Sequence, residues 1–308
     1  MRIGTMTSSL APGATLEAQI QDVVDAENDG FDSYWIAQIS SLDALTFLAL
    51  AGQRTSRIEM GTAVVPTYPR HPTMLALQAV TTQAAANGRL VLGIGLSHKP
   101  VVENRWGLDF TAPVRHMDEY LTVLRSLLDT GKVDHHGSAF RVSSEMQRIT
   151  ADPVSVCIAA LAPRMLRLAG EKADGTITWM VGAKTLETHI APRINEAARE
   201  AGRPAPRVCV AAPVCVTDDK PRAMEVAATT FSNYRNLASY RRMLDIEGVE
   251  GPSEVAVVGN ETQVEQQLRA FAGAGATDFI GSVLAVGEDA EASVARTEKL
   301  LKSLVGKL

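Results

Sequence analysis

The chain of 308 residues is long enough for two ordinary domains or one large α/β barrel. Hydrophobic residues at 46% and charged residues at 21% give the balance of a folded protein with a substantial core, not of a disordered or fibrous chain. A net charge of -5 and an isoelectric point near 5.7, with no cluster of Lys and Arg, argue against a nucleic-acid-binding surface.

In chain order, apolar runs of strand character alternate with segments of helical periodicity. Residues 2–6 (RIGTM) open as a strand; 16–30 (LEAQIQDVVDAENDG) follow as a helix, with Leu16, Ile20, Val23, Val24 and Glu27 at helical spacing and Gly30 as its stop. A second strand, 33–38 (SYWIAQ), leads into the helical 42–55, and a third, 58–65 (IEMGTAVV), into the helical 74–87. The fourth is 89–95 (RLVLGIG), after which a long loop reaches an amphipathic helix at 116–131 and a small excursion at 135–142. Strands at 154–160, 175–181 and 207–216 alternate with helices at 163–173 and 184–202. A helical region with Tyr234 and Tyr240, a helix at 261–276 and the strand 278–286 complete the series.

Eight strands with near-continuous apolar sequence predict a (β/α)8 TIM barrel, because barrel strands are covered on both faces. The stretched spacing between about 96 and 150 and between about 217 and 258 predicts insertions at its C-terminal face. No Pro, Gly or Ser-rich linker divides the chain, so residues 1–308 are expected to form one domain. A doubly wound open sheet is the alternative, but the first βα turn, TMTSSLAPG, has no GxGxxG fingerprint. Cys157, Cys209 and Cys215 lie in apolar runs without metal-ligand spacing and read as reduced core residues, so no metal site is expected. The start MRIGTMTSSL lacks the apolar core of a signal peptide, and no stretch has the roughly 20 apolar residues of a membrane span; a cytoplasmic protein with no membrane partner is expected.

In such barrels the chemistry sits where the strands end. Those ends are Met6 to Ser9, Ala37 to Ser40, Ala63 to Tyr68, Gly95 to Asn104, Ala159 to Arg164, Trp179 to Gly182, Ala212 to Cys215 and Ser282 to Val286. They hold few polar reactive groups: Gln38, His71, His98, Lys99, Glu103 and Arg164. With no paired carboxylates and no Ser/His/Asp grouping, a bound redox cofactor is easier to support than hydrolysis. Gly93 and Gly95 leave room for a flat ring, or for tight packing inside the barrel. In AALAPRMLRLAG (159–170) small residues lead into a helix whose first N–H groups, on Leu161, Ala162 and Arg164, can hold a phosphate. GTAVVPTYPRHP (61–72) is a strand that runs into three prolines, an arrangement suited to a stiff bend.

The order of these segments, with the helix around HMDEYL and the run AALAPRMLRLAGEKADGTI, resembles the bacterial luciferase-like flavin and deazaflavin superfamily, specifically its coenzyme F420-dependent oxidoreductases. The similarity spans nearly the whole chain. It implies a bulge at the end of the third strand with a non-proline cis peptide bond, by position Ala63–Val64, behind the cofactor ring. It further implies that Gln38, Thr62, Ala63 and Val64 address the ring. Gly95, Leu96 and Ser97 would then line the tail, and Ala160, Leu161, Ala162 and Arg164 the phosphate. Where F420-dependent relatives carry Asp, often followed by His, this chain has Gln38 and Ile39. Gln does not titrate, so His98 is the candidate for proton transfer, with a surface His as the plain alternative. Met6, Tyr68, Trp106, Trp179, Met180 and Tyr234 would form an apolar substrate pocket, although aromatic residues more often serve as core or lid. The implied activity is hydride transfer between F420 and a hydrophobic small molecule. Alternatives are an FMN-dependent monooxygenase and a barrel kept for binding alone. Pairing into a homodimer through the early helices, with the apolar 42–52 covered by the partner, is also expected.

Overall fold

β1 (Arg2–Thr7) leads to α1 (Leu16–Asn28), which the Thr15 hydroxyl caps at Ala18 N–H and Gly30 ends at a φ of 90°. The computed structural model describes residues 1–7, 14–287 and 289–308, so the predicted positions Ser8 and Ser9 lie outside it. β2 (Ser33–Ile36) and α2 (Ala44–Gly52, capped by Asp43) follow. Then come β3 (Glu59–Thr62), its short continuation β4 (Val65–Pro66), α3 (Pro72–Ala85) and β5 (Leu90–Gly95). The first insertion holds a π-helical turn (Val101–Arg105), α4 (Pro113–Thr130) and an antiparallel hairpin of β6 (Lys132–His136) and β7 (Arg141–Glu145). β8 (Ser155–Ala159), α5 (Pro163–Lys172) and β9 (Gly175–Trp179) resume the rhythm. α6 (Ala183–Thr185) runs through a second π-helical turn (Leu186–Ile190) into α7 (Ala191–Glu200), which precedes β10 (Arg207–Val216). The second insertion supplies α8 (Lys220–Thr230) and α9 (Ala238–Glu247) before β11 (Val257–Gly259), α10 (Glu261–Gly273), β12 (Asp278–Val283) and α11 (Ala290–Leu304).

β1, β2, β3, β5, β8, β9, β10 and β12 pair in that order, all parallel, and β12 returns to β1. The ring is the predicted TIM barrel. β11 was not foreseen, because three residues carry too little pattern to read. It pairs with Val214–Val216 at the far end of β10, whose near end pairs with β9 up to Ala211. Pro213 sits in the gap between these two neighbours, where the N–H it lacks would have had no strand to bond.

Trp35 fills the barrel interior, wholly buried, with its Nε1 donating to Ser33 Oγ at 2.9 Å. Gly61 makes room for it: a Cβ there would stand 2.1 Å from the indole ring. Met6, Val91, Cys157, Ile177, Cys209, Ala211 and Ile280 complete this inner cluster, while the larger core lies between the sheet and the helices. All three cysteines are free and buried, as expected. An ionic plug of Arg2, Glu59, Arg207 and Asp278 lies where the strands begin, with Arg207 on Asp278 at 2.6 Å and on Glu59 at 2.8 Å. That end is therefore tied shut, and the opposite mouth is left for loops.

Among those loops the hairpin is pinned by one carboxylate. Glu119 of α4 accepts from the N–H groups of Ser138 (3.1 Å), Ala139 (2.8 Å) and Phe140 (2.9 Å). Burial pushes its pKa up, but these donors and His135 outweigh that and hold it down at about 2.

Candidate active site

The strand-to-proline bend is a bulge clamped between two strands. The peptide bond between Ala63 and Val64 is cis, where the resemblance places it. Ala63 N–H donates to Ile36 O of β2 at 2.8 Å, and Thr67 N–H to Gly95 O of β5 at 2.9 Å. Thr62 contributes its side chain as well: Oγ1 donates to Gly93 O at 2.7 Å and accepts from Gly93 N–H at 2.8 Å. The hydroxyl is thus spent on β5 and fully buried, so the Thr62 side chain braces the bulge from behind. Both glycines of GIG serve close approach. A Cβ on Gly93 would come 1.9 Å from Thr62 O, and one on Gly95 would come 2.6 Å from Val64 Cγ2 and 3.2 Å from Ala159 Cβ. Those contacts also place the bulge, the end of β5 and the end of β8 side by side.

In the turn after β8, small residues lead into α5, as the sequence suggests. Ala160 is buried, and Ala162 precedes α5 without a side-chain cap. Among the described residues the N–H groups of Leu161, Ala162 and Arg164 donate to no acceptor, whereas the Ala162 carbonyl receives Met165 and Leu166 N–H. Arg164 is exposed and in no ion pair among the described residues. Such a turn, with bare donors at the positive end of a helix, suits a phosphate.

Gln38 lies two residues beyond β2, half-buried, and its Oε1 accepts from Ala44 N–H at the start of α2 at 3.3 Å. That bond uses the oxygen and leaves the amide NH2 to donate. Ile39 beside it is 58% exposed. Leu96 packs on the main core and Ser97 has a φ of 61°. His98 is half-buried against Tyr240, ring centroids 5.9 Å apart, and burial lowers its pKa from the ordinary value. It is a neutral, packed imidazole and not the surface histidine of the plain alternative.

Tyr240 belongs to an aromatic wall built by the second insertion. Tyr240 meets Tyr234 edge-on at 4.9 Å, and Trp179 at the end of β9 meets Phe231 at 5.7 Å and Tyr234 at 6.3 Å. Trp179 also packs against the inner cluster that includes Met6, the same cluster on which Ala63 and Val64 of the bulge rest. Phe231 and Tyr240 were not assigned to the site from sequence; their clustering in the long segment after β10 was the available signal. Three other predicted pocket residues take different places. Met180 is buried with Leu244 and Val255, and Trp179, Phe231, Tyr234 and Tyr240 pack against this cluster, so Met180 backs the wall. Tyr68 stacks on His116 at 4.1 Å and on Phe110 at 5.2 Å, lining a cavity of about 410 Å³ with Thr67, Arg70, Arg115 and Phe140. Trp106 is half-buried after the first π-helical turn and stacks on no ring among the described residues.

This chain is similar to known proteins to different extents. A Mycobacterium tuberculosis protein provisionally named a coenzyme F420-dependent oxidoreductase is 30% identical, over 65% of this chain and 63% of its own. An F420-dependent secondary alcohol dehydrogenase, solved with an F420–acetone adduct, has the same fold with a TM-score of 0.79, at 20% identity over 97% of both chains. The oxygenating constituent of 3,6-diketocamphane monooxygenase from the CAM plasmid of Pseudomonas putida, solved with FMN, gives 0.75 at 18% identity, over 100% of this chain and 98% of that one. A profile of the luciferase-like monooxygenases matches residues 1–278, and the chain therefore belongs to the luciferase-like monooxygenase family.

Proposed function

We propose that this chain is an oxidoreductase that binds coenzyme F420 at the barrel mouth and transfers hydride between it and a hydrophobic small molecule. The supporting observation is the pairing of a clamped bulge with a turn of three bare N–H groups, two fixtures spaced along one mouth. Ala63 and Val64 would support the flat ring, Gly95 to Ser97 the tail, and Leu161, Ala162 and Arg164 the phosphate. When bound, F420 supplies a two-electron carrier, so the protein's share is orientation and proton handling. The Gln38 amide donates toward a substrate carbonyl oxygen. His98, neutral at its imidazole, can accept or return the accompanying proton. Trp179, Phe231, Tyr234 and Tyr240 exclude water from the substrate side.

The M. tuberculosis relative favours F420. FMN-dependent oxygenation is the second reading, since the P. putida protein of like fold carries FMN. Fluorescence titration of the apo protein with each separates the two. Micromolar or tighter F420 binding with weaker FMN binding is expected; preference for FMN moves the chain to oxygenation, and binding of neither leaves a barrel that binds without catalysing.

The family resemblance also leads us to propose a homodimer. The argument from α2 is narrower than its sequence suggests, because most of the helix is buried within its own chain. Leu50 at 43%, Met74 at 52% and Leu77 at 42% remain exposed on α2 and α3, which pack together. Light scattering at micromolar concentration should give twice the chain mass; the mass of one chain would dismiss the pair.

A further inference from the structure

Between Ala160 and α5 the backbone is held by a side chain from the following βα unit. His189, in the π-helical turn Leu186–Ile190, donates from Nε2 to Leu161 O at 2.8 Å and is only 4% exposed. The carbonyl can only accept, so Nε2 carries the proton. Burial, outweighing the carbonyl bond and reinforced by Arg193 and Arg242, lowers the pKa of the imidazole and keeps it neutral. Its own backbone oxygen is fixed in turn by Arg193 Nη1 at 2.8 Å.

The consequence follows from peptide geometry. The Leu161–Ala162 bond is trans, so its C=O and N–H point in opposite directions. Drawing the Leu161 oxygen toward His189 turns the Ala162 N–H away from it. Ala162 N–H is also one of the three donors without a partner among the described residues. His189 is thus a buried donor from another element on this turn carbonyl, carried by a π-helical turn.

We infer that His189 is the positioning residue of a phosphate-binding turn, fixing the Leu161–Ala162 peptide so that the N–H groups of Leu161, Ala162 and Arg164 face one phosphoryl group. The inference rests on the cofactor reading above only for the identity of the ligand. Phosphate is held by preset donors, so a freely turning peptide would weaken phosphate-bearing ligands while leaving their ring contacts untouched.

The test compares ligands that differ in phosphate. Wild type, His189→Leu and His189→Gln are titrated with F420 and FMN, and with riboflavin and the deazaflavin chromophore lacking phosphate. His189→Leu should bind F420 or FMN about tenfold more weakly, with the phosphate-free rings unchanged, and His189→Gln, which keeps a donor, should recover most of the loss. Equal weakening of both kinds of ligand, or none, overturns the inference and leaves His189 a packing residue. Inorganic phosphate, followed through the amide resonances of Leu161, Ala162 and Arg164, probes the turn without any cofactor. Shifts in wild type and His189→Gln but not in His189→Leu support the inference even if no ring binds, when only the cofactor reading fails. No shift in wild type overturns it even if FMN binds.

Discussion

Replacing Gly93 by alanine is expected to destabilise the protein by about 3 kcal/mol, the upper part of the range for forced overpacking, and to lower its melting temperature by roughly 5 °C. The new methyl would lie 1.9 Å from Thr62 O and 2.5 Å from Ile177 Cδ1. Ile177 can rotate aside, but Thr62 O is backbone of a residue whose side chain is bonded to Gly93, so β3 and β5 must separate. Separation breaks both bonds between the Thr62 hydroxyl and the Gly93 backbone, which are 2.7 and 2.8 Å long. Any ligand supported by the bulge should be lost with them. Gly273 is the control: nothing lies within 4 Å of the place a Cβ would take there in α10, so Gly273→Ala should be neutral or stabilising by about 0.5 kcal/mol. Thermal melts of the two variants decide the point; similar melting would show that the close approach at Gly93 relaxes at little cost.

At the other end of the barrel, Asp278→Ala is expected to cost about 3–5 kcal/mol, the penalty for leaving a buried charge without its partner. The Asp278 side chain is 2% exposed and accepts from Arg207 Nη2 and from Thr277 Oγ1, both at 2.6 Å. Arg207 would keep only Glu59, itself shared with Arg2. The pH dependence has a definite sign. Burial raises the Asp278 pKa, but the Arg207 and Thr277 bonds outweigh it and the folded value lies below the ordinary 3.8. Its contribution is therefore complete above about pH 4 and is lost as the pH falls through the folded pKa. Urea denaturation of wild type and variant should show a large gap at pH 7 that narrows below pH 4. A gap that stays constant would mean that the lost stability is packing and not charge.

Much of the site was legible before any coordinates, because the signals are local. Alternating apolar runs and helix stops such as Gly30 are written within a few residues, and they fixed eight strands in the right places. The bare N–H groups at Leu161, Ala162 and Arg164 follow from a proline-started helix with no capping side chain, again a matter of adjacent residues. The family resemblance located the Ala63–Val64 bond from the order of segments.

Side-chain partners lay beyond the sequence. A threonine at the end of β3 reads the same whether its hydroxyl faces a ligand or Gly93, 31 residues away. Met180 and Trp179 are neighbours in one strand end, yet one is sealed under Leu244 and Val255 while the other joins the aromatic wall. Tyr68 follows the bulge by four residues but turns to His116, because α4 packs there. His189 gave no sign of reaching Leu161, since only the docking of one βα unit beside the next brings them together. Backbone form is set by short-range sterics and hydrogen bonding, which sequence records directly. The direction in which each side chain spends its polar atoms is set by contacts between distant elements, which exist only once the barrel has closed.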